Sequence, residues 1–258
     1  MSRSEIERNI GSYLPPELKR YESLLLEFIA SEHADKKYCS EIATKDSVKI
    51  LSCVWEAILW KFLSAHSFNL SPHQDAGPDF CVNHSGQKIW IEAVAPDLKK
   101  KKEDESFESG IVNTDQYTLA WTGAIKEKRE RFVEYVCKNI VGEKDICIIA
   151  ISTLKGEFSS YRPIPGEIPY PIQVTLGLGD LHMMNGKKKY PKREYIAKPS
   201  GNFCASNIFF TEEYMRISAI LCFDNREGEW SLIHNPRAEN QLKIGFFNLQ
   251  QEWSCNIK

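Results

Sequence analysis

The sequence predicts an α/β fold: a mixed central sheet flanked by helices, with a large loop-rich insertion. Three observations predict it. Asp145 is followed by the near-continuous apolar run Ile146-Cys147-Ile148-Ile149-Ala150-Ile151, the pattern of a central strand covered on both faces. Segments 79–83 and 88–94 lie either side of a loop containing Ser85-Gly86, a turn signal, and can pair as an antiparallel hairpin. Around them, apolar residues recur at the three- and four-residue spacing of helices packed on a core.

Taken in order, residues 1–12 are polar and are expected to fray. Pro15-Pro16-Glu17 then opens a helical pattern through Leu18, Tyr21, Leu24, Leu25, Phe28 and Ile29. A second helix is predicted from Thr44 or Asp46, either a suitable cap, to about His66. Its centre, from Ile50 to Trp60, is apolar in nearly every direction, and Glu56 is the only charge between Lys49 and Lys61. A helix of that kind is buried. Its lone carboxylate therefore needs a basic partner, a metal or a raised pKa.

The polar loop 71–77, which holds His73 and Asp75, leads into Pro78-Asp79-Phe80. Both loop residues are near enough in sequence to touch a site at Asp79, although a loop also carries such residues without function. In the hairpin, Asp79 falls at a strand end with Glu92 of Ile89-Trp90-Ile91-Glu92-Ala93-Val94 close to it. Two carboxylates converging there are costly unless a cation or a proton holds them. Hard divalent cations such as magnesium take oxygen-rich sites of this kind.

After Pro96 the character changes. Lys99 to Lys102 is a basic run, either a solvated loop or a phosphate-contacting patch. A third helix is predicted from about 115 to 139, with the apolar stripe Trp121, Ile125, Phe132, Tyr135 and Val136. The missing step of that stripe is Lys128, which either snorkels or is aimed into a polar site.

Residues 155–206 are rich in Gly and Pro and read as the insertion, in which 174–179 is expected to be a loop or short strand. Lys187-Lys188-Lys189, Lys192 and Arg193, with Tyr190 and Tyr195 beside them, suit a nucleic-acid backbone with exposed bases, or else a solvated surface. The last strands are predicted at 217–223 and 230–236, joined through Asp224-Asn225-Arg226-Glu227-Gly228. His234 in the second could serve as a base or be structural.

A net charge of −2 excludes a global positive field, though not a basic cleft. The eight cysteines include no CxxC pair and lie mostly in apolar segments, which favours buried free thiols over zinc or disulfides. Met1–Asn9 is polar, unlike a signal peptide, and no apolar run reaches the ~18 residues of a membrane span. The expectation is a cytoplasmic protein, with signal-independent secretion left open, organised as one domain over 1–258.

The order of these parts resembles the PD-(D/E)xK nuclease superfamily, the restriction-endonuclease-like fold. There a helix supplies an acid, here Glu56, and two adjacent strands supply an aspartate and a Glu-x-Lys pair, here Asp79 and Glu92. The resemblance covers residues 45–151, with C-terminal strands at 207–247. The segments 217–223 and 233–238 also resemble bacterial restriction-like proteins. The family lysine would fall at position 94, where this chain has Val94. Some members carry that charge on a neighbouring helix, which points to Lys128.

The resemblance implies metal-dependent hydrolysis of phosphodiester bonds, DNA favoured. Asp79, Glu92, Glu56 and the Ala93 carbonyl would hold Mg²⁺ or Mn²⁺, and Lys128 would orient water or offset developing charge. A homodimer would suit cutting both strands of a duplex. The alternatives are a degenerate nuclease fold that binds nucleic acid or protein, a bacterial effector, and a purely structural Glu56–Lys128 pair.

Overall fold

Three short helices open the chain: α1 (Arg3–Tyr13), α2 (Glu22–Ala30, preceded by a 3₁₀ turn over Pro16–Tyr21) and α3 (Lys36–Ala43). They are followed by α4 (Ser47–Ala65), β1 (Asn69–Leu70), β2 (Phe80–His84), β3 (Gln87–Val94), α5 (Asp115–Cys137), β4 (Ile146–Ser152) and α6 (Tyr170–Leu176). Next come β5 (His182–Met184), β6 (Lys187–Lys189), β7 (Tyr195–Ala197) and β8 (Phe203–Ala205), then β9 (Ala219–Asp224), β10 (Glu229–His234) and β11 (Gln251–Trp253). This computed structural model describes residues 3–31, 33–66, 68–71, 76–97, 115–156, 161, 167–184 and 186–255.

Seven strands form one mixed sheet in the order β1-β2-β3-β4-β9-β10-β11. β2 pairs antiparallel with β1 and β3, β4 lies parallel between β3 and β9, β10 is antiparallel to β9, and β11 is parallel to β10. The apolar run predicted as a central strand is β4, buried along its whole length. Ser85 and Gly86 both take positive φ (51° and 80°), the combination whose twist matches a two-residue hairpin. That turn fixes the β2–β3 register at His84↔Gln87 through Phe80↔Ile91.

Alternation along the strands sorts the interior into two layers. Ile89, Ile91 and Ala93 of β3 join Ile146, Ile148 and Ala150 of β4 under α1–α4. Trp90 joins Cys147 and Ile149 under α5 and α6. Glu92 has the parity of Trp90, so its side chain faces α5. The mixed α/β class and the helix-flanked sheet are as expected.

Several local expectations are corrected. Residues 3–13 are helix α1, because Ile6 and Ile10 fall one turn apart and both are buried. A short helix of that kind draws its stability from the surface that covers it, not from its own propensity. The pattern that begins at Pro15 is interrupted, with a 3₁₀ turn before α2. Helix α3 was not anticipated; Asp35 caps it by accepting from the Tyr38 N–H at 2.6 Å. Residues 174–176 are the end of α6, closed by Gly177 at φ 69°. A Cβ there would lie 2.7 Å from the Asn207 Cβ, so the site needs glycine for space as well as for φ. β11 falls outside the C-terminal strand region assigned to 207–247.

Candidate functional site

The site forms where β2 begins and β3 ends. With Phe80 opposite Ile91, the next rung sets Asp79 beside Glu92. Asp79 Oδ2 accepts the backbone N–H of Ala93 at 2.7 Å, which ties this carboxylate to the end of β3.

Glu92 is fully buried (0% exposed). Its Oε2 accepts from Lys128 Nζ at 2.6 Å and its Oε1 from the Tyr135 hydroxyl at 2.9 Å. Both partners project from α5, seven residues and two turns apart, hence from one helix face. Lys128 Nζ also stands 4.0 Å from Asp79 Oδ2. The lysine that interrupts the apolar stripe is therefore aimed into a polar site and is 6% exposed. Val94 has the parity of Glu92 on β3 and packs against the α5 layer, so helix and strand bring a lysine to the face where residue 94 carries none.

Tyr135 was missed as a site residue, because an aromatic on an apolar stripe reads as core. Its signal was the two-turn spacing from Lys128, which puts hydroxyl and ammonium on the same line of the helix.

Glu56 reaches the site from the opposite layer. Asp46 starts its helix by accepting the N–H of Val48 at 2.9 Å, and the apolar centre of α4 packs on the sheet. Glu56 itself is half-buried and lines a cavity of about 50 Å³ together with Asp79, Asp35, Glu41, His33 and Tyr38. It makes no hydrogen bond or ion pair among the described residues, whereas the ammonium offered as its partner, Lys128, goes to Glu92. The structural Glu56–Lys128 pair is therefore not formed.

These positions set the proton affinities. Burial, then the charge of Asp79, push Glu92 above the usual carboxylate range, while Lys128 and the bonds from Lys128 and Tyr135 pull it back. Glu56 is pushed well up by burial, then by Asp79 and Glu41, with Lys128 opposing. The Tyr135 hydroxyl is raised by burial and by the Glu92 charge that it serves. Among the described residues, Glu92, Asp79 and Glu56 lie around the Lys128 ammonium, with the Arg131 guanidinium also acting on Glu92 and Asp79, an excess of negative charge that a divalent cation would relieve.

The donor set suits such a cation in part. Both oxygens of Glu56 and Oδ1 of Asp79 have no hydrogen-bond partner among the described residues, whereas both oxygens of Glu92 are taken. Among the described residues, no three His, Cys, Asp or Glu side chains are grouped to hold one ion. Magnesium needs less than that from protein, since one or two carboxylates with water and substrate phosphate complete its shell. Asp79 and Glu56 meet the requirement, and Glu92 would join by releasing Tyr135 or Lys128. For Ala93, the contact present is its N–H to Asp79.

Other candidates stand apart. His73, Asp75 and Lys99–Lys102 lie outside the described residues. His234, separated from β3 by β4 and β9, contacts Glu252 Oε2 at 3.1 Å, where both residues join β10 to β11. All eight cysteines are free and five are buried; burial pushes the Cys147 thiol up to about 12, which removes it as a nucleophile. No described helix is long and apolar enough to cross a membrane. Comparison with protein-family models, with curated proteins and with solved structures finds no match for this chain.

Proposed function

We propose that the chain is a metal-dependent nuclease of the restriction-endonuclease-like kind, hydrolysing phosphodiester bonds with DNA as the favoured substrate. The observation that carries this reading is the placement of Lys128, 2.6 Å from Glu92 and 4.0 Å from Asp79. It supplies from α5 the cation that the resemblance leads one to look for at position 94. The sequence α4-β1-β2-β3-α5-β4, with an acid on α4, one immediately before β2 and one on β3, supports the same reading.

In this reading Asp79 and Glu56 hold Mg²⁺ or Mn²⁺, with Glu92 and the Ala93 carbonyl completing the protein's share. The bound cation would supply Lewis-acid polarisation of the phosphodiester and activate water. Lys128 neutralises charge that develops on the phosphoryl oxygens, and its ion pair with Glu92 holds the ammonium in place. Tyr135 holds the other Glu92 oxygen in the metal-free state and would release it when Glu92 joins the cation.

The test is cleavage of plasmid DNA in Mg²⁺ or Mn²⁺ by the wild type and by Asp79→Ala, with calorimetric titration of the same ions. Cutting and metal uptake that both vanish in the variant, with its fold intact by circular dichroism, are expected. Unchanged Mg²⁺-dependent cutting by Asp79→Ala would sink the assignment.

A second reading, a nuclease fold that binds nucleic acid without cutting it, is favoured by the closed state of Glu92, whose two oxygens are both occupied. Absence of metal uptake by the wild type would put this reading in place of the first.

A further inference from the structure

Outside the acid site, residues 180–206 are strongly basic. Lys187, Lys188, Lys189, Lys192, Arg193 and Lys198 stand against Asp180 and Glu194 there, a net +4 in a chain whose total is −2. Two of these cations are already matched, Lys192 with Glu194 and Arg193 with Asp115. The three lysines of β6 and Lys198 have no acidic partner among the described residues.

The same stretch holds four of the seven exposed large hydrophobic side chains among the described residues: Met183, Met184, Tyr195 and Phe203. Two surface anomalies thus coincide in one short segment.

The backbone explains why neither is covered. Arg193 donates its N–H to the Gly177 carbonyl and Gly179 donates to Pro191, each at 2.7 Å, and β5 continues this pairing with β6. A two-stranded ribbon therefore leaves the body at α6, with every side chain of β5 and β6 exposed. At its base, β7 pairs with β8 so that Ile196 is buried inward. The register Tyr195↔Ala205 and Ala197↔Phe203 puts the rings of Tyr195 and Phe203 diagonally on the outward face, 62% and 69% exposed.

We propose that this ribbon and the outward face of β7–β8 dock single-stranded nucleic acid, the lysines following phosphates and the two rings stacking on bases. Ammonium groups without an acidic partner among the described residues and exposed rings, here carried by one segment, are the two components of a sequence-tolerant single-strand surface. A lipid surface asks for something else, namely one continuous apolar face. Met183 and Met184 are consecutive in a strand and so point to opposite sides of the ribbon, which denies that face.

The inference deepens the nuclease reading and rests on it for what becomes of the strand. Arg193 anchors the ribbon base to Asp115 at the start of α5, and Lys128 lies thirteen residues further along that helix. That spacing is about 20 Å, the rise of about six nucleotides.

The test is anisotropy of a fluorescein-labelled, mixed-sequence DNA oligonucleotide with the full chain, in EDTA so that no strand is cut. Lys187→Glu/Lys188→Glu/Lys189→Glu and Tyr195→Ser/Phe203→Ser alter exposed positions and are checked for folding by thermal unfolding. Each should weaken binding by about tenfold or more, and the charge variant should lower the salt slope by about 2. The duplex of the same sequence should bind less tightly than the single strand.

Wild-type affinity in both variants, tighter binding of the duplex, or retention by phosphatidylserine vesicles in place of the oligonucleotide would overturn the proposal. Asp79→Ala separates the two readings, since it should bind the oligonucleotide as the wild type does. Binding that depends on the ribbon in a chain that never cuts DNA removes the nuclease reading alone. Cutting by a chain whose ribbon variants bind normally removes the ribbon alone.

Discussion

Glu92 and Glu56 approach Asp79 from opposite faces of the sheet, and their surroundings differ completely. On the α5 face, Glu92 is sealed from solvent with one oxygen on an ammonium and the other on a phenol. On the α4 face, Glu56 borders a cavity and has no partner among the described residues, while Asp79 and Glu41 repel its charge. Asp79 stands between them, held by the Ala93 N–H. The contrast shows where an incoming cation has most to gain: on the α5 side Glu92 is bound by an ammonium, and on the α4 side Glu56 has no hydrogen bond or ion pair among the described residues.

The strongest way to break this contrast is to remove the ammonium. Lys128→Met leaves Glu92 buried without a counter-charge, a loss of about 3–5 kcal/mol in urea unfolding at neutral pH. Part of that loss should return as the pH falls, because protonation of Glu92 removes the orphaned charge. A double-mutant cycle sharpens the point. Glu92 and Lys128 should couple by at least about 1 kcal/mol, and Glu56 and Lys128 by less than about 0.5 kcal/mol. Coupling of equal size in the two cycles would show that the ammonium is shared between the two sides.

Tyr135→Phe is next in size. It deletes one hydrogen bond to a buried carboxylate and should cost about 1.5–3 kcal/mol without disturbing the aromatic packing on Phe132. A stability equal to wild type would mean that water replaces the hydroxyl.

The smallest effect tests the open side and has the opposite sign. Burial and Asp79 raise the proton affinity of Glu56 in the fold. Its contribution to stability is thus complete below the unfolded value, about pH 4.3, and is lost as the pH rises through the raised folded value. Glu56→Gln should therefore match the wild type near that acid limit and melt about 2–4 °C higher at pH 8. Magnesium or manganese should lift the wild-type Tm at pH 8 and lift that of Glu56→Gln less. A variant that melts lower than the wild type at pH 8 would contradict an unpartnered Glu56.

Turn chemistry and periodicity, which are local properties, were enough to bring together Asp79, just before β2, and Glu92 of β3. Ser85-Gly86 sets the hairpin register, and the register sets Asp79 beside Glu92. The phase of α5 alone pointed Lys128 inward, and the unbroken apolar run at 146–151 identified the strand that supports β3. Only the tertiary structure decided which acid Lys128 takes. That choice depends on how α5 lies across β3, and the separation of 36 residues between Lys128 and Glu92 carries no local signal. The same limit hid Tyr135, α1 and β11: an aromatic on an apolar stripe, a helix with two buried isoleucines and a three-residue strand acquire their roles from the surfaces that meet them.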